Sequence, residues 1–273
     1  MAKLVIEARQ SEKHYWADLW RYRELFLILA WRDVAVRYKQ TVIGIAWALL
    51  QPALTVVVFT ILFSRLAKLP ADGTAPYPLM VLAGMLPWQF FASALSASSQ
   101  SLIGNSALIS KVYFPRMIVP VGTVVTALID FLITCVLLFG MMAYYRFVPG
   151  LAVLLSPLFV MIAFLAALGP GLLLTALTVR FRDFRFVVPF LVQFGFFVSP
   201  VGFSTAVIPE RWRLLYSLNP MVGVIDGFRW ALLGGQSRIF PTGLAISLAT
   251  VVFFLVVGIW YFRRTERTFA DII

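Results

Sequence analysis

Residues 31–52 read WRDVAVRYKQTVIGIAWALLQP, and this stretch decides the fold because it changes abruptly from charged to apolar. Its first half repeats apolar side chains at the spacing of one helix face, together with the preceding turn: Leu27, Trp31, Val34, Ala35 and Tyr38. The charged side chains lie off that face, and residues 42–63 contain no charge. The pattern predicts an amphipathic helix in the membrane interface over about 24–41, which runs directly into a first membrane span over 42–63.

The composition places the rest of the chain in the membrane as well. Of 273 residues, 61% are hydrophobic and 13% are charged, and the mean hydropathy is +0.91. Soluble domains are about a quarter charged. We therefore predict an all-α integral membrane protein with six spans, at about 42–63, 77–98, 117–144, 151–179, 187–203 and 242–262. Pro87 predicts a kink or a break in the second span, and the Gly-Pro-Gly sequence at 169–171 predicts a break in the fourth.

One segment fits neither a span nor a soluble loop. Residues 204–241 are rich in apolar side chains but carry four arginines, and Asn219-Pro220 divides them. We predict two short helices around this proline turn that dip partway into the membrane as a re-entrant pair; a single interfacial loop is the alternative. The domain organisation is then a cytosolic tail with the interfacial helix over 1–41, followed by the six-span membrane domain over 42–273.

The basic residues predict the orientation of the chain. The net charge is +11, but the basic residues flank apolar spans, which indicates contact with membrane lipids and not with nucleic acid. With both termini in the cytosol, 16 of the Lys and Arg residues lie inside and 7 lie outside. The positive-inside rule thus favours cytosolic N- and C-termini.

Motifs for catalysis are lacking in the sequence. It has no phosphate-binding Gly-x-x-x-x-Gly-Lys-Ser/Thr, one histidine (His14), one cysteine (Cys135) and no cluster of carboxylates. We therefore expect no catalytic, cofactor or metal site in this chain. Asp130 is the one acidic residue deep in a predicted span, where a carboxylate is costly unless it is paired. It is either a polar contact on a transport path or a helix–helix hydrogen bond that fixes packing, for example with Thr126 or Thr134.

Several short motifs resemble one family. They are Arg32-Asp33, the RYKQT sequence at 37–41, Gly44, Trp47, Gln51-Pro52, the NPM sequence at 219–221 and the DGFR sequence at 226–229. Together they resemble the permease subunits of ABC-type polysaccharide exporters, which carry O-antigen, capsule and teichoic acid chains. The resemblance implies a homodimer in the bacterial cytoplasmic (inner) membrane that exports a lipid-linked polysaccharide. It also implies two copies of a separate ATPase subunit, which would bind the ATP and Mg²⁺.

The resemblance and the residue types together suggest three groups of functional residues. Residues expected to couple to the ATPase are Asn105, Ser106, Ser110 and Lys111, with Arg32, Arg37 and Lys39. Residues expected at an outer gate are Asn219, Pro220, Asp226 and Arg229. Aromatic side chains expected to line a pore, because sugar rings stack on aromatic faces, are Trp47, Phe59, Trp88, Phe90, Phe194 and Phe197. The simpler alternatives are that Lys111 only anchors a span and that the aromatics face lipid.

Other functions stay open at this point. A drug or simple-lipid exporter of the same ABC type is the nearest alternative. An ion-coupled secondary transporter would normally carry several charged residues in its spans and an internal repeat. A membrane scaffold and a membrane-bound transferase are further possibilities.

Overall fold

The computed structural model describes residues 15–39, 44–66, 68, 73, 75–235 and 239–269, and these contain no β-strand. The predicted tail at 1–14 lies outside the described residues. The helices are α1 (Tyr15–Arg21), α2 (Arg23–Lys39), α3 (Gly44–Phe59, continued by a π-helical segment Thr60–Leu66), α4 (Tyr77–Gly104), α5 (Ser106–Lys111), α6 (Ile118–Tyr144), α7 (Ser156–Arg180), α8 (Phe184–Val198), α9 (Glu210–Tyr216), α10 (Pro220–Leu232) and α11 (Pro241–Thr265). Short 3₁₀ turns occur at Leu151–Leu155, Thr205–Val207 and Glu266–Thr268.

Five helical segments are long and apolar enough to cross a bilayer, which needs about 20 residues. They are Ala46–Leu66, Tyr77–Gly104, Ile118–Tyr144, Leu151–Arg180 and Pro241–Thr268. The predictions of an all-helical fold and of a multi-pass membrane protein are thus confirmed. The fifth predicted span, 187–203, corresponds to α8, which has only 15 residues and is followed by irregular chain. Helix length therefore supports five spans, and a sixth crossing stays a prediction.

Helix α4 is the centre of the bundle. Its Leu79, Met80 and Leu82 are fully buried, and α6, α7, α8 and α10 surround it. Pro87 lies inside this helix, which continues without a break to Gly104. Of the two predicted outcomes, a break is therefore wrong, and a kink stays a prediction. A buried proline removes one backbone hydrogen bond, and the packing of neighbouring helices maintains the helical path.

The Gly-Pro-Gly sequence at 169–171 also lies inside a continuous helix, α7, so the break predicted there is wrong. Its purpose is packing: a Cβ atom on Gly169 would lie 2.6 Å from the backbone nitrogen of Leu255 in α11. Gly258 of α11 lies equally close to Gly169. Small residues let the backbones of two membrane helices touch, and this contact holds α11 to α7.

The first and the last described residues lie at the same end of the bundle, which we call the terminal end. An apolar cluster there joins α2, the last turns of α4, α7 and α11, and residues 109–119; its members include Leu29, Leu102, Ile109, Phe114, Val179, Phe262 and Phe269. At the other end, which we call the far end, Tyr77 donates a hydrogen bond to the carbonyl of Gly202. Helix α8 begins just after Arg180 at the terminal end and leads to residues 199–203 at the far end.

Two helices follow at the far end, as predicted for 204–241. Asn219 caps α10 by accepting a hydrogen bond from the Met221 amide at 3.0 Å, and Pro220 occupies the first helical position. Helix α10 is buried on most of its faces by α4, α7 and α11. Its depth in the membrane stays a prediction.

Candidate transport cleft and coupling surface

A cleft of about 730 Å³ opens between α2, α3, α4, α6 and α8. Its polar lining includes Arg37, Tyr38, Asp130, Gln51, Gln89 and Gln193, and its aromatic lining consists of Trp47, Trp88, Phe90, Phe131, Phe196, Phe197 and Tyr38. The cleft therefore offers hydrogen-bonding groups at one place and flat apolar surfaces beside them. This is the lining that a ligand with hydroxyl groups and apolar ring faces requires.

Asp130 forms the polar centre of this cleft. Its carboxylate accepts hydrogen bonds from the guanidinium of Arg37 and from the hydroxyl of Tyr38, both on α2. The expected hydrogen bond between helices is thus present, but its partners are not the threonines named as examples. The Thr134 hydroxyl donates instead to the backbone carbonyl of Asp130, at 2.9 Å. The partners of Asp130 come from a helix more than 90 residues away, and the half-buried carboxylate holds α2 against α6.

Tyr38 was expected on the lipid-facing stripe of α2, together with Leu27 and Trp31. The latter two are indeed exposed, at 62% and 70%, whereas Tyr38 turns toward Asp130. Burial raises the pKa of Tyr38 well above its ordinary value, and the hydrogen bond to Asp130 raises it further. Tyr38 is therefore a hydrogen-bond donor throughout the physiological pH range.

Four of the six predicted pore aromatics line the cleft: Trp47, Trp88, Phe90 and Phe197. Phe59 packs instead against Phe63 and Phe196, with ring centres 5.2 and 5.5 Å apart. Phe194 stacks on Phe190 at 6.1 Å on the exposed side of α8. The cleft glutamines were not among the predicted site residues: Gln51 was named only in a family motif, and Gln89 and Gln193 were not named. An amide side chain inside an apolar span was the available signal.

The cleft is open toward the exposed faces of α3 and α8. Helix α8 presents a row of exposed phenylalanines at helical spacing, namely Phe186, Phe190, Phe194 and Phe197. Helix α3 is only sparsely buried, because the rest of the described chain covers few of its apolar residues. The cleft of one chain is therefore open, with apolar margins on both sides.

Two of the predicted coupling residues, Arg32 and Asn105, meet at the terminal end. Arg32 of α2 donates to the side-chain oxygen of Asn105 at 2.8 Å and pairs with Asp33 at 2.7 Å. A second depression of about 570 Å³ borders this contact, and Arg37 lines both it and the cleft. Lys39, Ser110 and Lys111 are exposed, and Ser106 is half-buried. The structure thus brings Arg32 to Asn105, directs Arg37 into the cleft, and leaves the others at the surface.

A contact that the sequence analysis missed fixes the connection between α5 and α6. The amide of Arg116 donates to the carboxylate of Glu266 at 2.6 Å, and the Arg116 guanidinium donates to the carbonyl of Glu266. Arg263 lies 4.6 Å from the ring centre of Tyr15 in α1. Residues at and just after the end of α11 therefore contact both α1, through Arg263, and the connection that follows α5, through Glu266.

The predicted gate residues lie along the contact between α10 and residues 199–203. Arg229 is fully buried and donates to the carbonyls of Pro200 at 2.8 Å, Val201 at 3.2 Å and Phe203 at 3.2 Å. Asp226 lies 4.0 Å from the Arg229 guanidinium. The Asn219 amide donates to the Ser199 hydroxyl at 2.9 Å. Arg229 thus connects α10 to residues 200–203 by buried hydrogen bonds and stabilises this region, whatever role the region has in transport.

The family model of the ABC-2 type transporter matches residues 24–233, which include α2, the cleft, the coupling residues and α10. The chain belongs to the ABC-2 type transporter family. This membership confirms the family resemblance and makes the chain a transporter permease.

Relatives in this ABC-2 type family match nearly the whole chain. The O-antigen export system permease protein RfbA of Klebsiella pneumoniae is 26% identical over 257 residues, which cover 92% of this chain and 95% of that protein. RfbA of Myxococcus xanthus is 28% identical over 214 residues, covering 78% of this chain and 81% of its own length. The polysialic acid transport protein KpsM of Escherichia coli is 24% identical over 244 residues, covering 86% and 91%.

Proposed function

We propose that this chain is the permease subunit of an ATP-driven exporter that moves a lipid-linked polysaccharide outward across the bacterial cytoplasmic membrane. The observation that carries the proposal is the aromatic and amide-lined cleft, in a chain that matches O-antigen and polysialic acid export proteins over nearly its full length. Aromatic faces stack on sugar rings without selecting one sugar, which suits a polymer that must slide. Drug-binding pockets also combine aromatic and amide side chains, so the similarity to polysaccharide export proteins is what favours a glycan over a drug.

In this proposal the terminal end faces the cytosol and α8, extended by residues 199–203, makes the sixth crossing. The bias of positive charge supports this orientation. The path of α8 from the terminal end to the far end supports the crossing. Its 15 helical residues span about 22 Å, so the irregular residues 199–203 have to add only about 8 Å to cross an apolar core of about 30 Å. Helices α9 and α10 then form the re-entrant pair at the outer side, where Asn219, Pro220, Asp226 and Arg229 belong to the outer gate.

Two copies of the chain complete the passage. The cleft is open along the faces of α3 and α8, and a second copy that contributes the same faces would close it into a tunnel. Two ATPase subunits dock at the cytosolic end, on Asn105, Ser106, Ser110 and Lys111 together with Arg32 and Lys39. Arg37, which lines both depressions, links that docking surface to the cleft. ATP and Mg²⁺ bind to the ATPase and not to this chain.

The test is depletion of the chain in its native cell, followed by localisation of the lipid-linked glycan. We expect surface polysaccharide to disappear while the lipid-linked glycan accumulates on the cytosolic face, where only opened cells admit a glycosidase. Complementation with an Arg182→Gln variant, a substitution at an exposed loop arginine away from the cleft, is the control. Unchanged surface polysaccharide, with a retained drug or simple lipid instead, would refute the proposal in favour of another exporter class.

A further inference from the structure

A depression of about 470 Å³ lies where α7 and α11 end, apart from the cleft and the coupling residues. Its lining consists of Arg180, Trp260, Tyr261, Arg264, Thr265 and Thr268. Arg180 is the last residue of α7, and Arg264 lies in the last turn of α11. Both helices are long enough to span the bilayer, so the depression lies at the level where a span leaves the membrane.

The depression holds two arginines available to an anion. Arg180 and Arg264 are exposed, and each guanidinium lies over an aromatic ring, Phe181 and Trp260 respectively, with 5.4 Å to each ring centre. Within the described part of the chain, neither pairs with a carboxylate. The neighbouring Arg263 does not line the depression; it lies over the ring of Tyr15 in α1. Two positive charges therefore line the same space, and no carboxylate of the described residues pairs with either.

The donors in this space suit a phosphate. The hydroxyls of Thr265 and Thr268 already donate to the carbonyls of Tyr261 and Thr265, both at 2.8 Å, so binding depends on the guanidinium groups and the ring donors. A guanidinium matches two phosphate oxygens with a pair of parallel hydrogen bonds. Helix carboxyl ends disfavour an anion, and the two side-chain charges have to outweigh that effect.

The outer face of α11 leads from the apolar core to this depression. Val252, Val256 and Trp260 are exposed at 58%, 60% and 57%, and they lie one helical turn apart. An acyl chain laid along this row would bring its headgroup to Arg264. Tryptophan at the end of such a row is typical of the headgroup level of a membrane.

We propose that the depression between α7 and α11 binds the headgroup phosphate of an anionic phospholipid of the surrounding membrane. Arg180 and Arg264 hold the phosphate, Trp260 and Tyr261 border the headgroup, and the acyl chains lie along Val252 and Val256. The site is separate from the transport cleft, and its occupation needs neither ATP nor the exported substrate. It adds a lipid ligand to the protein, bound at the ends of two spans that pack directly on each other.

The test compares lipid affinities of the full-length chain purified in detergent. Cardiolipin, phosphatidylglycerol and phosphatidylethanolamine are titrated separately, and binding is measured by native mass spectrometry and by the shift in thermal midpoint that a native-state ligand produces. We expect the two anionic lipids to bind and phosphatidylethanolamine not to bind. The double variant Arg180→Gln/Arg264→Gln should bind anionic lipid about 30-fold more weakly, from about fivefold per charge.

A matched control removes the same two charges elsewhere at the terminal end. Arg182 and Arg185 are exposed in the connection between α7 and α8 and do not line the depression. The variant Arg182→Gln/Arg185→Gln should keep wild-type lipid affinity. An equal loss in both double variants would mean general attraction to net charge and would overturn the site. If inorganic phosphate displaced bound lipid as effectively as added lipid does, the depression would be a site for soluble anions and the proposal would be wrong. If the Arg180→Gln/Arg264→Gln variant lost a copurifying ATPase but kept its lipid affinity, the depression would be a protein contact and the proposal would again be wrong.

Discussion

Arg32 of α2 donates a hydrogen bond to the side-chain oxygen of Asn105, 73 residues further along the chain, at a distance of 2.8 Å. Asn105 occupies the turn between α4 and α5, and its own amide donates to the Ser101 carbonyl at 2.8 Å. The helix that precedes the first span is therefore braced on the short helix that we propose as an ATPase contact. Movement imposed on α5 would reach α2, and through Arg37 and Tyr38 it would reach the cleft.

This brace leads to a prediction about coupling. Asn105→Ala removes the contact but costs only about 1 kcal/mol of stability, because the pair is partly exposed. We expect normal insertion and ATP hydrolysis, with less polysaccharide exported per ATP. Asn105→Asp keeps an acceptor for Arg32 and should retain coupling. If Asp impairs export as much as Ala does, Asn105 acts through its amide on the ATPase and not as a brace.

The Tyr38–Asp130 hydrogen bond predicts a specific dependence of stability on pH. The pKa of Tyr38 is raised in the folded protein, so at alkaline pH the unfolded tyrosine releases its proton before the folded one. The stabilising contribution of Tyr38 is therefore complete below about pH 10, the ordinary tyrosine pKa, and decreases above it.

Tyr38→Phe measures this contribution directly. In detergent, the variant should have a lower thermal midpoint than the wild type at pH 7 to 9, and the difference should shrink above about pH 10. Tyr113→Phe, at an exposed tyrosine, is the control and should behave like the wild type. A difference that stays constant or grows at high pH would contradict the assignment of Tyr38 as a donor to Asp130.

Two of the predicted gate residues should respond differently to substitution. Arg229→Ala leaves three carbonyls and Asp226 without their buried donor, which costs about 3–5 kcal/mol, so the protein should fail to accumulate in the membrane. The sequence analysis suggested a gate role for both Arg229 and Pro220, but burial makes Arg229→Ala a test of assembly. Pro220→Ala, at the first position of α10, should cost at most about 1 kcal/mol.

Pro220→Ala is thus the variant that tests the gate. Membrane abundance and the elution profile of a fluorescent fusion measure assembly, and surface polysaccharide measures export. Reduced export by a well-assembled Pro220→Ala variant would support a gate at the far end. Wild-type abundance of Arg229→Ala would show that its three carbonyl contacts do not stabilise the fold.

Glycine substitutions should separate close helix packing from helix propensity. Gly169→Ala places a methyl group 2.6 Å from the Leu255 amide nitrogen, so α7 and α11 must move apart, at a cost of about 1–3 kcal/mol. Gly140 in α6 has nothing within 4 Å of such a methyl group, and Gly140→Ala should be neutral or stabilising by up to about 1 kcal/mol. Thermal midpoints in detergent give the comparison. Equal midpoints for both variants would contradict the described packing of α7 on α11.

Cysteine labelling tests the orientation. In a Cys135→Ser background, Glu210→Cys at the far end should react with an impermeant thiol reagent added to intact cells whose outer envelope admits it. Ser110→Cys at the terminal end should react only after the cytosol is opened. Both positions are exposed, so accessibility within the protein does not limit the reaction. The reverse pattern would place the termini outside the cell.

Much of the fold could be predicted from sequence because membrane insertion depends on local composition. Five of the predicted spans match helices to within a few residues, and the helix pair around Asn219-Pro220 is present, since capping and proline act within one turn. The breaks expected at Pro87 and at 169–171 are absent because packing against other helices outweighs local propensity.

The site was predictable in its residue types but not in its contacts. Trp47, Trp88, Phe90 and Phe197 were predicted at a pore and do line the cleft, whereas Phe59 and Phe194 do not. A membrane helix with aromatic residues on several faces has the same sequence pattern whichever face meets lipid. The sequence therefore does not indicate which face lines the cleft.

By itself, the sequence determined that this is a helical membrane protein of the exporter permease type, because hydropathy, charge bias and short motifs are properties of neighbouring residues. Only the tertiary structure decided that Asp130 pairs with Arg37 and Tyr38, and that Arg32 meets Asn105. Those contacts join residues that are 73 to 93 positions apart in the chain. The physical reason is that a buried polar group requires a partner, but many distant residues satisfy that requirement equally well until the helices have packed.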